Sequence, residues 1–292
     1  MEFPLVDTQW LETHLYDEDV VVLDASMTVV IGKEPILYDD LVCLPRTRKF
    51  DLETVFCDLD SPQVHAFPPR STFFKEIAQL GIRPTDTVII YDNQGIYSSP
   101  RAWWIFKVMG FDKVFVLDGG LPQWQQEDRL TSSRYQSLGI DFQVSDIAST
   151  LIGVNQELSA SRVCDAQTVL AMLNSGRAQA DGDTVIIDAR GAGRFLGQVS
   201  EPRAGVRSGH IPHSVNLPFA QVLDGYKLKS TAELASIFAE IAGEKPLRVF
   251  SCGSGITACI LILASVVSGH DNAVLYDGSW ADWGSDHSLP IV

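Results

Sequence analysis

The chain repeats itself, and this duplication constrains its fold more than any other feature of the sequence. Each half carries the same succession of short apolar runs that end in polar or glycine-rich turns. The matching pairs are residues 20–25 with 184–189, 87–92 with 247–252, and 114–119 with 273–278. The members of each pair are separated by a nearly constant spacing of about 160 residues, which chance does not readily produce. We therefore expect two homologous domains at residues 1–140 and 160–292, joined by a linker at 141–159.

The fold class follows from what lies between the apolar runs. Runs rich in β-branched residues alternate with segments of helical period, such as Pro100–Met109, which Gly110 should end, and residues 231–241, for which Thr231 is a plausible N-cap. Short buried strands that alternate with helices predict a parallel sheet covered on both faces. The sequence therefore predicts an α/β fold in two tandem copies.

Composition excludes several classes of partner. The 292 residues include 37 acidic and 22 basic side chains, and the net charge of -15 repels nucleic acid. The most apolar window, residues 258–267, has about half of the ~20 residues that cross a bilayer, so no membrane partner is expected. The first residues lack the basic and apolar regions of a secretory signal. We expect a cytoplasmic monomer.

The cysteines point to reduced thiols. There are five, an odd number, and they are widely scattered in a chain too long to need disulfide staples. The sequence contains neither a CxxC pair nor an HExxH motif, so we expect no metal and no cofactor. At least one thiol is then free for chemistry.

One cysteine stands where a catalytic group would stand. In a parallel sheet, ligands bind at the carboxyl ends of strands, and there the second half reads Cys-Gly-Ser-Gly-Ile-Thr, residues 252–257. Two glycines let the backbone turn its N–H groups inward, and the start of the next helix adds partial positive charge. Such a nest favours the thiolate, which makes Cys252 a candidate nucleophile. The alternative is an ordinary buried cysteine. At the matching position the first half has Asp92, so only the second half can perform thiol chemistry.

At these residues the sequence resembles the rhodanese superfamily of sulfurtransferases, and within it the two-domain 3-mercaptopyruvate sulfurtransferases. The resemblance runs nearly end to end, with Ile256 replacing a valine of the family's loop. It includes the stretches at residues 99–104, 209–219 and 277–280. It implies a persulfide on Cys252 and a substrate-binding loop that includes Gly253, Gly255, Ile256 and Thr257.

The resemblance also implies roles for residues outside the loop. Arg194 and Arg203 would bind the carboxylate of the donor, as forked guanidinium groups do. With Arg207 and His210 they would form a basic cluster in an acidic chain. Ser254, His65 and Asp60 would form a proton relay across the domain interface, for which a histidine that titrates near neutrality is suited. This chain is shorter than the family between its aspartate and the Ser-Pro at residues 61–62.

Charge favours one sulfur donor over another. Family members that prefer the thiosulfate dianion carry basic residues after the cysteine, whereas this chain has Gly253 and Ser254. The neutral loop favours 3-mercaptopyruvate, a small anionic donor, with a thiol, cyanide or a thioredoxin-like protein as acceptor. The nearest alternative is a thiosulfate:cyanide sulfurtransferase with the same nucleophile. Two more distant hypotheses are a non-catalytic sulfur-carrier module and a cysteine phosphatase, which would need an arginine where Ala258 stands.

Overall fold

The computed structural model describes residues 3–137 and 161–292, and these residues form two α/β domains. Each domain contains a five-stranded parallel sheet, with the order β1-β5-β4-β2-β3 in the first domain and β6-β12-β11-β7-β8 in the second. The first sheet comprises β1 Leu5–Val6, β2 Val20–Asp24, β3 Thr47–Lys49, β4 Thr87–Tyr91 and β5 Val114–Leu117. The second comprises β6 Val163–Cys164, β7 Thr184–Asp188, β8 Val215–Asn216, β11 Leu247–Ser251 and β12 Ala273–Tyr276. A short antiparallel hairpin joins β9 Leu223–Asp224 to β10 Lys227–Leu228.

The helices alternate with these strands. Those of the first domain are α1 Thr8–His14, α2 Arg70–Gln79, α3 Ser99–Met109 and α4 Gly120–Gln126. Those of the second are α5 Ala166–Asn174, α6 Ala192–Phe195, α7 Thr231–Ala242, α8 Ala258–Val267 and α9 Ser279–Trp283, with a 3-10 turn at Phe219–Val222. Within the described ranges no helix is long and apolar enough to span a membrane.

The duplication predicted from the sequence is confirmed at the level of strand register. Val20 lies opposite Thr87 in the first sheet, and their counterparts Thr184 and Leu247 lie opposite each other in the second. The predicted α/β class with parallel sheets is therefore confirmed. The linker predicted at residues 141–159 lies outside the described residues, so the domain boundaries stay a prediction.

The structure confirms the predicted end of α3 and corrects the predicted start of α7. Gly110 ends α3 with φ 95°, a left-handed conformation that glycine adopts without steric cost. The prediction of Thr231 as the N-cap of α7 is wrong by one residue. Ser230 is the cap, because its hydroxyl and the Glu233 side chain form a reciprocal capping box.

The domains share a core, and this places the loop at residues 252–257 at their interface. Every residue of α8 is buried, and α8 packs against α3 of the first domain. A helix that is apolar on all sides requires such a fully enclosed position. Cys259 on α8 is buried, and so are Trp103, Trp104, Trp124 and Trp283. The β11–α8 loop therefore opens toward residues of the other domain.

Candidate active site

Cys252 is the first residue after β11, and it lines a cleft of about 210 Å³ between the domains. Only 2% of the residue is exposed, so the thiol is reached through this cleft. The backbone around it is fixed by α9. The Cys252 N–H donates to the Ser279 hydroxyl at 3.1 Å, and the Trp280 N–H donates to the Cys252 carbonyl at 2.9 Å. The Cys252 side chain therefore projects from a strand end whose backbone is hydrogen-bonded on both sides.

The inactive loop of the first domain shows what this type of loop binds. Asp92, the counterpart of Cys252, is fully buried, and its carboxylate is surrounded by N–H donors. One oxygen accepts the Gln94 N–H at 2.9 Å, and the other accepts the N–H groups of Tyr97, Ser98 and Ser99 at 2.8–2.9 Å. The loop between strand and helix is thus an anion nest. In the second domain the side chain in the same position is a thiol.

Two arginines face the catalytic loop across Gly253. A Cβ atom on Gly253 would lie 3.3 Å from Nη2 of Arg194 and 3.8 Å from Nη1 of Arg203. Arg194 lies on α6 and is held by the buried carboxylate of Glu201, which also binds Arg190 at 2.7 Å. The structure therefore brings both arginines of the predicted carboxylate site to the cleft, and Glu201 is a supporting residue that the sequence analysis missed.

The remaining two members of the predicted basic cluster lie elsewhere. The Arg207 guanidinium donates to backbone carbonyls of Trp283, Gly284 and Leu289, so its fork is taken up by the C-terminal segment. His210 stacks on Phe195 with ring centroids 3.9 Å apart. Neither residue lines the cleft. The expectation of one four-residue basic cluster is therefore corrected to a pair of arginines.

His65 and Ser254 meet across the domain interface. Nδ1 of His65 lies 3.2 Å from the Ser254 hydroxyl oxygen, which also accepts a hydrogen bond from Nη2 of Arg203 at 3.3 Å. Arg203 can only donate, so it leaves the serine proton available, and the Nε2–H tautomer of His65 would accept that proton at Nδ1. Burial, with the positive charges of Arg101 and Arg203, lowers the pKa of His65 to about 4. The ring is therefore neutral near pH 7, which corrects the expectation of titration near neutrality.

The structure does not bring Asp60 to this pair. Asp60 is exposed, does not line the cleft, and its N–H donates to the Asp58 carboxylate at 3.1 Å. The shortened segment before residue 61 turns locally on Asp58 instead of reaching the imidazole. The acidic side chain that lines the cleft is Glu53, which accepts the Thr28 N–H at 2.9 Å. Only the family motif pointed to Asp60, and no sequence signal marked Glu53.

Much of the cleft lining is apolar or aromatic, and most of these side chains come from the first domain. They include Met27, Val29, Ile31, Tyr97 and Phe219. The Tyr97 hydroxyl accepts the Ile31 N–H at 2.8 Å, which ties this segment to the inactive loop. The cleft therefore suits a small molecule with an anionic end and a short apolar body. Among the described residues no group of three or more His, Cys, Asp and Glu side chains is placed to hold a metal ion.

The chain is similar to known proteins in sequence and in structure. A family model described as a rhodanese-like domain matches residues 59–127 and 165–286. The 3-mercaptopyruvate sulfurtransferase of Escherichia coli is 34% identical over 98% of this chain and 96% of its own. A thiosulfate/3-mercaptopyruvate sulfurtransferase of Arabidopsis thaliana is 34% identical over 99% of this chain and 78% of its own. A crystal structure of an E. coli 3-mercaptopyruvate sulfotransferase covers 94% of this chain and 98% of its own at 32% identity, with a TM-score of 0.76.

Proposed function

The chain belongs to the rhodanese-like family, and we propose that it is an enzyme that moves the sulfur of 3-mercaptopyruvate through a persulfide on Cys252. The observation that carries this proposal is the pairing of the two loops. The strand-to-helix loop that encloses the Asp92 carboxylate with N–H donors in one domain has the Cys252 thiol at the matching position in the other, and two arginines lie close to the neighbouring Gly253. In this proposal the second loop stabilises a thiolate and a persulfide anion in the same way.

The arginines and the apolar residues of the cleft orient the donor. Arg194 and Arg203 bind the carboxylate, and the apolar residues that line the same cleft contact the rest of the donor. The donor sulfur then lies toward Cys252. This arrangement makes the sulfur, and not the keto carbon, the atom that the thiolate meets.

The chemical step balances without an outside proton. The Cys252 thiolate attacks the donor sulfur, a sulfur–sulfur bond forms, and the carbon–sulfur bond breaks with its electron pair passing to the methylene carbon. The donor thiol loses its proton and the carbon gains one, so the products are pyruvate and a deprotonated persulfide. The neutral His65 ring accepts this proton through Ser254 and returns it to carbon, because the two side chains are 3.2 Å apart. An acceptor thiolate or cyanide then removes the outer sulfur in a second step.

Transfer from thiosulfate is the second candidate reaction. It uses the same thiolate and releases sulfite, and it needs no proton transfer. The name of the Arabidopsis relative covers both donors. The neutral Gly253 and Ser254, and the relay itself, favour the organic donor.

The experiment that tests the proposal compares the two donors on one preparation. Pyruvate from 3-mercaptopyruvate and sulfite from thiosulfate are measured with cyanide as acceptor, for the natural protein and for Cys252→Ser. We expect higher kcat/KM for 3-mercaptopyruvate and no turnover of either donor by the variant. A large preference for thiosulfate, or undiminished pyruvate release by the variant, would contradict the proposal. The physiological acceptor, the monomeric state and the cytoplasmic location stay predictions.

A further inference from the structure

A buried cation links the two halves of the active site. Arg101 is the third residue of α3 in the first domain, and 1% of it is exposed. A buried charge is costly unless it is paired and fully hydrogen-bonded, so the partners of this guanidinium define its role. They come from the loop that carries His65 and from the second domain.

The partners surround the residue that follows His65. Nη2 of Arg101 donates to the His65 carbonyl at 2.7 Å, and Nη1 donates to Oδ1 of Asp277 at 2.6 Å. The second oxygen of Asp277 accepts the Phe67 N–H at 2.7 Å, and the guanidinium lies over the Phe67 ring at 5.1 Å. The ion pair therefore holds the backbone on both sides of Ala66.

His65 needs this support because its backbone is strained. Its φ of 58° lies in the left-handed region, which a side chain with a Cβ rarely adopts. Such conformations persist where the surroundings over-determine them. The left-handed turn directs the imidazole at Ser254 in the other domain, 3.2 Å away.

The same cation also contacts the catalytic loop. Nη1 of Arg101 lies 3.5 Å from the Gly255 carbonyl. A Cβ on Gly255, whose φ is 79°, would lie 2.9 Å from that nitrogen and 2.9 Å from the Asp277 carbonyl. The Arg101 guanidinium is therefore packed directly against the backbone of the loop at Gly255.

We propose that Arg101 and Asp277 are positioning residues that set the distance between His65 and Ser254, and so serve the proton transfer and not the attack on sulfur. This inference rests on the proposed function. It requires that loss of the ion pair slow the reaction that moves a proton to carbon. The thiosulfate reaction, in which a thiolate displaces sulfite and no proton moves, then serves as an internal reference.

The test uses Arg101→Lys and Asp277→Asn. Lysine keeps the charge, but its single nitrogen cannot span the His65 carbonyl and Asp277 as the planar fork does. We expect kcat/KM for 3-mercaptopyruvate to fall at least tenfold in each variant. Complete loss of acid–base catalysis would lower it by ~10²-fold or more. Arg101 also contacts Gly255, so the value for thiosulfate can fall as well, but we expect it to fall much less, because that reaction moves no proton. Arg207→Lys is the matched control, because that guanidinium also binds backbone carbonyls but lies away from His65, and its donor ratio should not change.

A double-mutant cycle separates positioning from general structural support. If Arg101 acts through His65, Arg101→Lys introduced into His65→Gln lowers 3-mercaptopyruvate turnover no further. Additive losses, equal losses with both donors, or unchanged kinetics in both Arg101→Lys and Asp277→Asn would overturn the inference. If either Arg101→Lys or Asp277→Asn fails to unfold cooperatively, the double-mutant cycle is measured with the other variant. Failure of the proposed function would appear differently, as absent 3-mercaptopyruvate turnover in the natural protein.

Discussion

Replacing Gly253 with alanine should weaken donor binding while leaving the fold intact. The φ of Gly253 lies outside the left-handed region, so the backbone accepts a side chain there. The new methyl group would lie 3.3 Å from Nη2 of Arg194 and 3.8 Å from Nη1 of Arg203. A carboxylate oxygen must approach these nitrogens to about 2.7–2.9 Å, and the methyl blocks that approach from the side of the loop.

The magnitude follows from the contact that is lost. One hydrogen bond between charged groups contributes about 1.5–3 kcal/mol, so KM for 3-mercaptopyruvate should rise about 10- to 100-fold. kcat at saturating donor should change much less, because Cys252 and the His65–Ser254 pair are untouched. Steady-state pyruvate release gives both constants, and thermal melting checks the fold.

Gly255→Ala is the contrasting control. Its φ of 79° and its two contacts at 2.9 Å with Arg101 and Asp277 predict lost stability as well as lost activity. An unchanged KM in Gly253→Ala would refute the placement of the carboxylate site, as would a loss confined to kcat.

Four further predictions concern His65, Asp60 and Asp92. Because the pKa of His65 is lowered to about 4, its ring stays neutral from pH 8 to 5. A pH–rate profile with 3-mercaptopyruvate should therefore show no inflection near pH 6.5 from this residue. An inflection near pH 6.5 that disappears in His65→Gln would contradict this prediction. As the pH falls from 6.5 toward 4, the His65 imidazole is protonated in the unfolded chain but not in the folded one, which favours unfolding. Thermal melts over this pH range should therefore show a steeper loss of stability in the natural protein than in His65→Gln. Asp60→Asn should keep kcat/KM within about twofold, since exposed polar substitutions away from a site have small effects; a hundredfold loss in the donor assay would restore Asp60 to the relay. Asp92→Asn replaces one acceptor oxygen by an amide NH₂ group that faces the same N–H donors. The free energy of unfolding in urea should fall by about 1–3 kcal/mol. An unchanged midpoint of urea unfolding would show that the loop does not need its anion.

Much of the fold could be predicted from the sequence, because the same pattern of apolar runs occurs in both halves of the chain. Each apolar run is matched by its copy, and the shared register of Val20 with Thr87 and Thr184 with Leu247 follows from that repetition. The α/β class and the family are confirmed. Local hydrogen-bond competition was harder to predict, because Ser230 and Thr231 are both good caps and only the reach of Glu233 decides between them.

The position of the candidate site could be predicted from short sequence motifs. Cys252, Gly253, Ser254, Ile256 and Thr257 line one cleft together with Arg194 and Arg203, whereas their roles stay a prediction. Long-range contacts were predictable only where the family motif covers both partners. His65 and Ser254, 189 positions apart, do lie together, whereas no motif pointed to the contact between Arg101 and Asp277, which meet through domain packing. Asp60 lies away from the cleft because the short segment before residue 61 turns locally on Asp58.

Mass spectrometry of the protein after 3-mercaptopyruvate treatment tests the central claim most directly. Without an acceptor, the intact chain should gain the mass of one sulfur atom. The peptide that contains Cys252 should carry it, and cyanide should remove it as thiocyanate. Cys252→Ser should gain nothing. Pyruvate release with the sulfur on another cysteine, such as Cys259, or with no sulfur retained on the protein, would contradict the account.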